Sequence, residues 1–163
     1  MSEDGKWVTI RGHRVFIKDK STNDYMNKKI RDSKGKIYYH TSNHDFNKFD
    51  NKMPRKAILG GQYGYGHYFF DDKDISDGYG AYSTYQYRVK LNVKKWFNAK
   101  EKEFPIKIRE MGYDYQKDDI ADFLQNKGYE GTRIEHLNAN GKEWYEYVVY
   151  DSKNIQIIDK KEI

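Results

Sequence analysis

At 163 residues the chain has room for one domain of ordinary size, which by surface-to-volume scaling can bury about two thirds of its unfolded surface. It has no cysteine, which excludes disulfides, thiolate metal sites and a cysteine nucleophile. The net charge of +5 gathers in the first 60 residues, where 14 Lys/Arg face 7 Asp/Glu, a basic third that reads either as a solvated face or as a patch for nucleic acid or another polyanion.

"KWVTIRGHRVFI" alternates on either side of Arg11-Gly12 and predicts a hairpin, Trp7 to Ile10 returning as His13 to Ile17. Ser21 to Asp32 predicts a short helix, with Ser21, Thr22 and Asn23 as caps, Tyr25, Met26 and Ile30 as a partial apolar stripe, and Gly35 as a stop. Together they make an N-terminal appendage over residues 1–35, ahead of a domain over residues 36–163. "KIYYHTS" predicts a strand ending in polar residues, and "DFNKFDNKMPRKAILGGQYGYG" a long loop of the kind that compact domains keep for function. "HYFFDD" predicts a short strand and "DDKDISDGYG" a short helix whose first-turn acids suit its dipole. "YQYRVKLNV" predicts the clearest strand, with Tyr85, Tyr87, Val89, Leu91 and Val93 on one face. Pro105 opens a brief helix, and Asp118 to Lys127 predicts a firmer one, with Ile120, Phe123 and Leu124 at helical spacing and Gly128 as its C-cap. "GTRIEHL", "EWYEYVVY" and "IQII" are strands, so the fold class is α+β, mostly β with few short helices. No apolar run is long enough for a membrane helix, and "MSEDGKWVTIRGH" lacks a secretory core, so a soluble, unprocessed, cytoplasmic chain without a membrane partner is expected.

Among these elements Glu146 is the anomaly. Alternation puts Trp144, Glu146, Val148 and Tyr150 on one face and Tyr145, Tyr147 and Val149 on the other, so both faces are largely apolar. A strand covered on both sides does not hide an unpaired carboxylate cheaply; Glu146 must salt-bridge, reach solvent or face a polar ligand in a cleft. His40 at a strand end and Tyr68 in an aromatic strand are each compatible with a structural role. His44, His67 and His136 show no metal-ligand spacing, so no metal site is expected. The glycines of "GQYGYG" precede a strand instead of opening a helix, which excludes a Rossmann dinucleotide loop.

Four stretches, in order, carry a resemblance. "YYHTS" resembles a strand bearing His-Gly-Ser/Thr, "GYGHYFFD" a Gly-x-Gly-x-Tyr-Phe-x-Asp strand, "SDGYG" a helix end with Ser and Tyr three apart, and "EYVVYDSKNIQI" a catalytic Glu strand. "NKGYEGTRI" adds a Gly-Tyr-Asp/Glu-Gly element before a strand. On these motifs the chain resembles the ADP-ribosyltransferase superfamily, in the branch whose His, Tyr, Glu signature is shared by diphtheria toxin and the poly(ADP-ribose) polymerases. The nearest likeness is to small domains in phage and prophage polyvalent proteins, and the N-terminal hairpin is similar to one in phage-encoded head-associated and toxin-like proteins. The resemblance implies split antiparallel β-sheets with a few short helices and an N-terminal β-hairpin.

It also implies an NAD site, with NAD as a substrate and no metal. His40 would hydrogen-bond a ribose hydroxyl, Ser42 would add a ribose contact, and the Thr41 backbone would grip the nicotinamide carboxamide. Tyr68 and Tyr79 would sandwich the nicotinamide ring, Ser76 would donate to its carboxamide oxygen, and Glu146 would be catalytic, binding the 2′-hydroxyl of the nicotinamide ribose. Breaking the ribose–nicotinamide bond builds positive charge on the sugar, and a carboxylate beside it attracts charge present only in the transition state. Thr41 replaces the family's usual Gly, so the grip on the carboxamide must be made with ordinary strand dihedrals. Trp144 stands two residues before Glu146, where arginine-modifying members carry Glu or Gln, which disfavours that acceptor. The expected partners are NAD and a macromolecular acceptor, protein or nucleic acid. The alternatives are an NAD glycohydrolase and a catalytically silent phage-associated module that binds nucleic acid or a partner through its basic third.

Overall fold

Nine strands, four short α-helices and a 3-10 turn (Ser152–Asn154) are present among the residues that the computed structural model describes: 5–10, 13–18, 35–55 and 62–163. The predicted helix from Ser21 to Asp32 lies outside them, as do the Arg11-Gly12 turn and residues 56–61 of the long loop. The chain divides into two units, Met1–Lys48 with Asp71–Leu91 and Gln156–Ile163, and Phe49–Phe70 with Asn92–Ile155.

In the first unit, β1 (Gly5–Ile10) and β2 (His13–Lys18) form the expected antiparallel hairpin, with Trp7 opposite Phe16 and their rings edge-on at 5.6 Å. β2 pairs antiparallel with β9 (Ile155–Glu162), where Arg14 meets Glu162 at 2.7 Å. β3 (Tyr38–Ser42) pairs antiparallel with β5 (Tyr85–Leu91), giving the order β1-β2-β9-β5-β3, and Arg88 of β5 is ion-paired with Asp159 of β9. β5 stops at Leu91, short of the expected Val93. It is buried on both faces: Tyr87 and Val89 on one, and on the other Gln86, which is covered by the helix over Lys73–Tyr79.

In the second unit, β4 (His67–Phe70) pairs antiparallel with β8 (Glu143–Val149), β8 antiparallel with β7 (Gly131–Leu137), and β7 parallel with β6 (Trp96–Lys100). A parallel pair needs a long crossover. Here the connection from β6 to β7 carries two helices whose order, numbered after α1 (Lys52–Arg55) and α2 (Lys73–Tyr79), is α3 (Phe104–Glu110) and α4 (Ile120–Asn126). Pro105 sits in the first turn of α3, where its missing N–H costs nothing, and Asp119 caps α4 by accepting from Ala121 N at 2.8 Å. Gly128 takes the positive φ of 94° that the end of α4 requires. Phe104 and Ile108 of α3, and Ala121, Phe123 and Leu124 of α4, pack on Phe97, Ala99, Ile134 and Val148 of the sheet. β6 and the single turn of α1, inside the expected loop, are elements that the alternation pattern did not signal. The class is α+β with antiparallel pairing predominant, and among the described residues no helix is long and apolar enough to cross a membrane.

Candidate functional site

Five of the predicted site residues belong to the first unit. β3 sets His40 opposite Tyr87, Thr41 opposite Gln86 and Ser42 opposite Tyr85, so His40 and Thr41 point to opposite faces. His40 is half-buried beside Phe46 and Tyr87, at ring distances of 6.4 and 6.2 Å. The Phe46 and Tyr87 rings stack at 4.2 Å, and the Tyr87 hydroxyl accepts from Phe46 N at 2.9 Å and donates to His44 O at 2.6 Å, which fixes the chain just beyond β3. Ser42 Oγ accepts from His44 N at 3.0 Å, closing the turn after the strand.

Thr41 is brought to α2. The side chain of Asp72 caps that helix, accepting from Asp74 N at 2.8 Å and Ile75 N at 3.3 Å. At its other end a Cβ on Gly80 would lie 2.4 Å from Thr41 Cγ2, so the bare α-carbon of Gly80 is what leaves room for a β-branched residue at position 41. Ser76 of α2 is fully buried on the same face of β3, with Gln86 Nε2 3.4 Å from its hydroxyl and 2.7 Å from Asp77 Oδ1. Tyr79 is the contrast, 65% exposed at the helix end.

Tyr68 and Glu146 belong to the second unit, and pairing puts them on one sheet face. Tyr68 stands opposite Val148, and Phe70 and Ile134 flank Glu146 from β4 and β7. Tyr68 packs on the hydrophobic core; its hydroxyl donates to Gly64 O at 2.8 Å and accepts from Tyr63 N at 3.0 Å. Burial pushes its ionisation up, and the nearby Glu146 adds to that. Glu143 points to the opposite face, where it accepts from the Tyr145 hydroxyl at 2.8 Å.

Glu146 is not alone. Its side chain is 15% exposed, and Oε1 lies 3.0 Å from Nε2 of His136 on β7. The other ring nitrogen, Nδ1, lies 2.8 Å from Oε2 of Glu101, whose side chain is 51% exposed. The imidazole stacks on Trp144 at 4.0 Å with 13° between the planes. Burial raises the pKa of Glu146, the hydrogen bond and charge of His136 work against that, and Glu101 adds to the rise. Of the three places open to Glu146 on sequence grounds, the structure combines two, a pairing partner and partial solvent access.

His136 and Glu101 were not among the predicted site residues. The signal was present in "GTRIEHL", where alternation turns His136 to the same side as Ile134, because a buried imidazole needs partners for two nitrogens. Among the described residues no group of three or more His, Cys, Asp or Glu is arranged to hold a metal ion. A cavity of about 170 Å³ in this unit, bordered by Asn51, Tyr65, Gln125 and Asp151, has none of the predicted site residues in its wall. Compared with known proteins, the chain matches no protein-family model and no curated protein.

Proposed function

We propose that the protein is an NAD-dependent ADP-ribosyltransferase of the His-Tyr-Glu type, with the split-sheet fold of that superfamily. The observation that carries this reading is the setting of Glu146: a desolvated carboxylate on a core strand, on one face with Tyr68 and hydrogen-bonded by an imidazole. Such a group is worth most to a reaction that develops positive charge beside it. The bond from C1′ of the ribose to the nicotinamide nitrogen breaks with its electron pair leaving on nitrogen. The sugar takes on oxocarbenium character, Glu146 accepts from the 2′-hydroxyl, and the acceptor's nucleophile bonds to C1′ and gives up its proton to solvent. His40 and Ser42 bind ribose hydroxyls, the Thr41 backbone and the Ser76 hydroxyl bind the carboxamide, and Tyr68 and Tyr79 flank the ring. The close fit of Gly80 against Thr41 supports a motif in which Thr stands in place of Gly. The acceptor is a macromolecule, protein or nucleic acid, and the likeness to polyvalent proteins favours a phage-encoded role.

Incubation with adenine-labelled NAD in a bacterial lysate tests the reading. Label is expected on macromolecules, at a rate about 100- to 1000-fold lower for Glu146→Ala. Transfer undiminished by the substitution would sink the role of Glu146.

A second reading, an NAD glycohydrolase, is favoured by Trp144. The ring two residues before Glu146 is stacked on His136 and offers an acceptor an apolar surface in place of a carboxylate or amide. Water then attacks C1′, and free ADP-ribose accumulates without modified macromolecules.

A further inference from the structure

A buried histidine between two carboxylates has a stricter hydrogen-bond ledger than a core histidine. Ionised carboxylates only accept, so two of them on one imidazole demand two donors, and the ring supplies both only with a proton on each nitrogen. A neutral ring leaves one contact without a proton unless a carboxyl group carries it. The ring is held in place by more than these bonds: it is 6% exposed, stacked on Trp144 at 4.0 Å and edge-on to Tyr63 at 6.4 Å. Glu101 is fixed beside β7 as well, because its backbone N donates to Glu135 O at 2.9 Å.

Resting on the assignment of Glu146 above, we propose that His136 is the positioning residue that keeps Glu146 ionised and aimed for the reaction, with Glu101 fixing the imidazole from its more exposed side. The bond to Nε2 uses Oε1 of Glu146, which leaves Oε2 to accept from the 2′-hydroxyl of the substrate ribose. His136 does not touch the substrate. It acts by opposing the burial that otherwise favours a protonated Glu146, and a protonated carboxyl has no charge to offer the developing cation. The titratable groups around the pair are Glu101 after β6, Tyr63 before β4 and Tyr68 on β4.

The test uses the full chain with carbon-13 at the glutamate carboxyl positions, titrated by NMR, with Glu146→Gln identifying the Glu146 signal. His136→Phe keeps a flat ring against Trp144 and removes both donors. Glu146 is expected to titrate at higher pH in this variant than in the wild type. Nicotinamide release should fall about 10- to 100-fold in kcat, with a much smaller change in KM for NAD. His136→Gln, whose amide N–H stands in for the Nε2 proton, is the milder second variant and should recover part of both effects. Glu101→Gln should lower kcat in the same direction by less. A Glu146 titration unmoved in both His136 variants overturns the proposal whatever the activity. A Glu146→Gln variant that releases nicotinamide at the wild-type rate overturns the assignment of Glu146 instead, a failure that the titration does not share.

Discussion

His40 and His136 stand in opposite surroundings. His40 on β3 is half-buried among aromatic rings, Phe46 and Tyr87, whereas His136 on β7 has a carboxylate on each nitrogen and a Trp ring against its face. Rings give an imidazole a wall to rest on. Two carboxylates fix its orientation before any ligand arrives. In the proposed reaction that difference separates two roles: His40 would bind substrate, whereas His136 would act on charge through its hydrogen bond to Glu146.

The sharpest way to break that contrast is Glu146→Gln, which keeps size and one acceptor but removes the charge. Nicotinamide release should fall about 100- to 1000-fold while NAD affinity, measured by calorimetry, changes far less. A comparable loss in affinity would give Glu146 the binding role proposed for His40. On the β3 side the controlling term is steric. Gly80→Ala places a methyl group 2.4 Å from Thr41 Cγ2 and should cost about 1–3 kcal/mol in urea unfolding. Thr41→Gly in the same chain should recover most of the loss, and a cycle without coupling would separate the two residues. His40→Ala should weaken NAD binding about tenfold, roughly 1.4 kcal/mol, and leave kcat at saturating NAD nearly unchanged. A loss confined to kcat would erase the contrast.

The smallest effect is on stability. Burial raises the pKa of Glu146 above its ordinary value of 4.5. The proton is therefore held more tightly in the folded state, so the stability that this group contributes is fully present below 4.5 and is lost as pH rises through the raised value. Glu146→Gln cannot ionise and should melt at a higher temperature than the wild type at about pH 7, with the gap closing at about pH 4. A gap that widened in acid would reverse the sign and mean that His136 outweighs burial.

What the sequence made legible was local. Alternation placed β5 and β8, a short apolar run placed β4, first-turn acids placed α2, and helical spacing with Gly128 as its end placed α4, because each signal lies within its own element. β6 escaped because only Phe97 and Ala99 turn inward in a five-residue run flanked by lysines and glutamates, and its parallel pairing with β7 comes from far along the chain. β5 was read two residues too long because Val93 continues the alternation past the point where the ladder ends. The site divides in the same way. Glu146 announces itself as a charge in an apolar run, but Glu101 and His136 are 35 residues apart in sequence and meet only when β6, β7 and β8 align. The motif residues each lie within a single element, whereas sheet pairing brings His136 and Glu101 to Glu146.

In the proposed reaction Glu146 drives cleavage of the nicotinamide–ribose bond, and nicotinamide release from NAD reads that step. The purified wild-type chain should release nicotinamide at neutral pH, with ADP-ribose recovered on an acceptor or free in solution, and Glu146→Gln should reduce that release about 100-fold or more. A wild type that leaves NAD intact in the presence of lysate, or a Glu146→Gln variant that matches the wild type, would contradict the account.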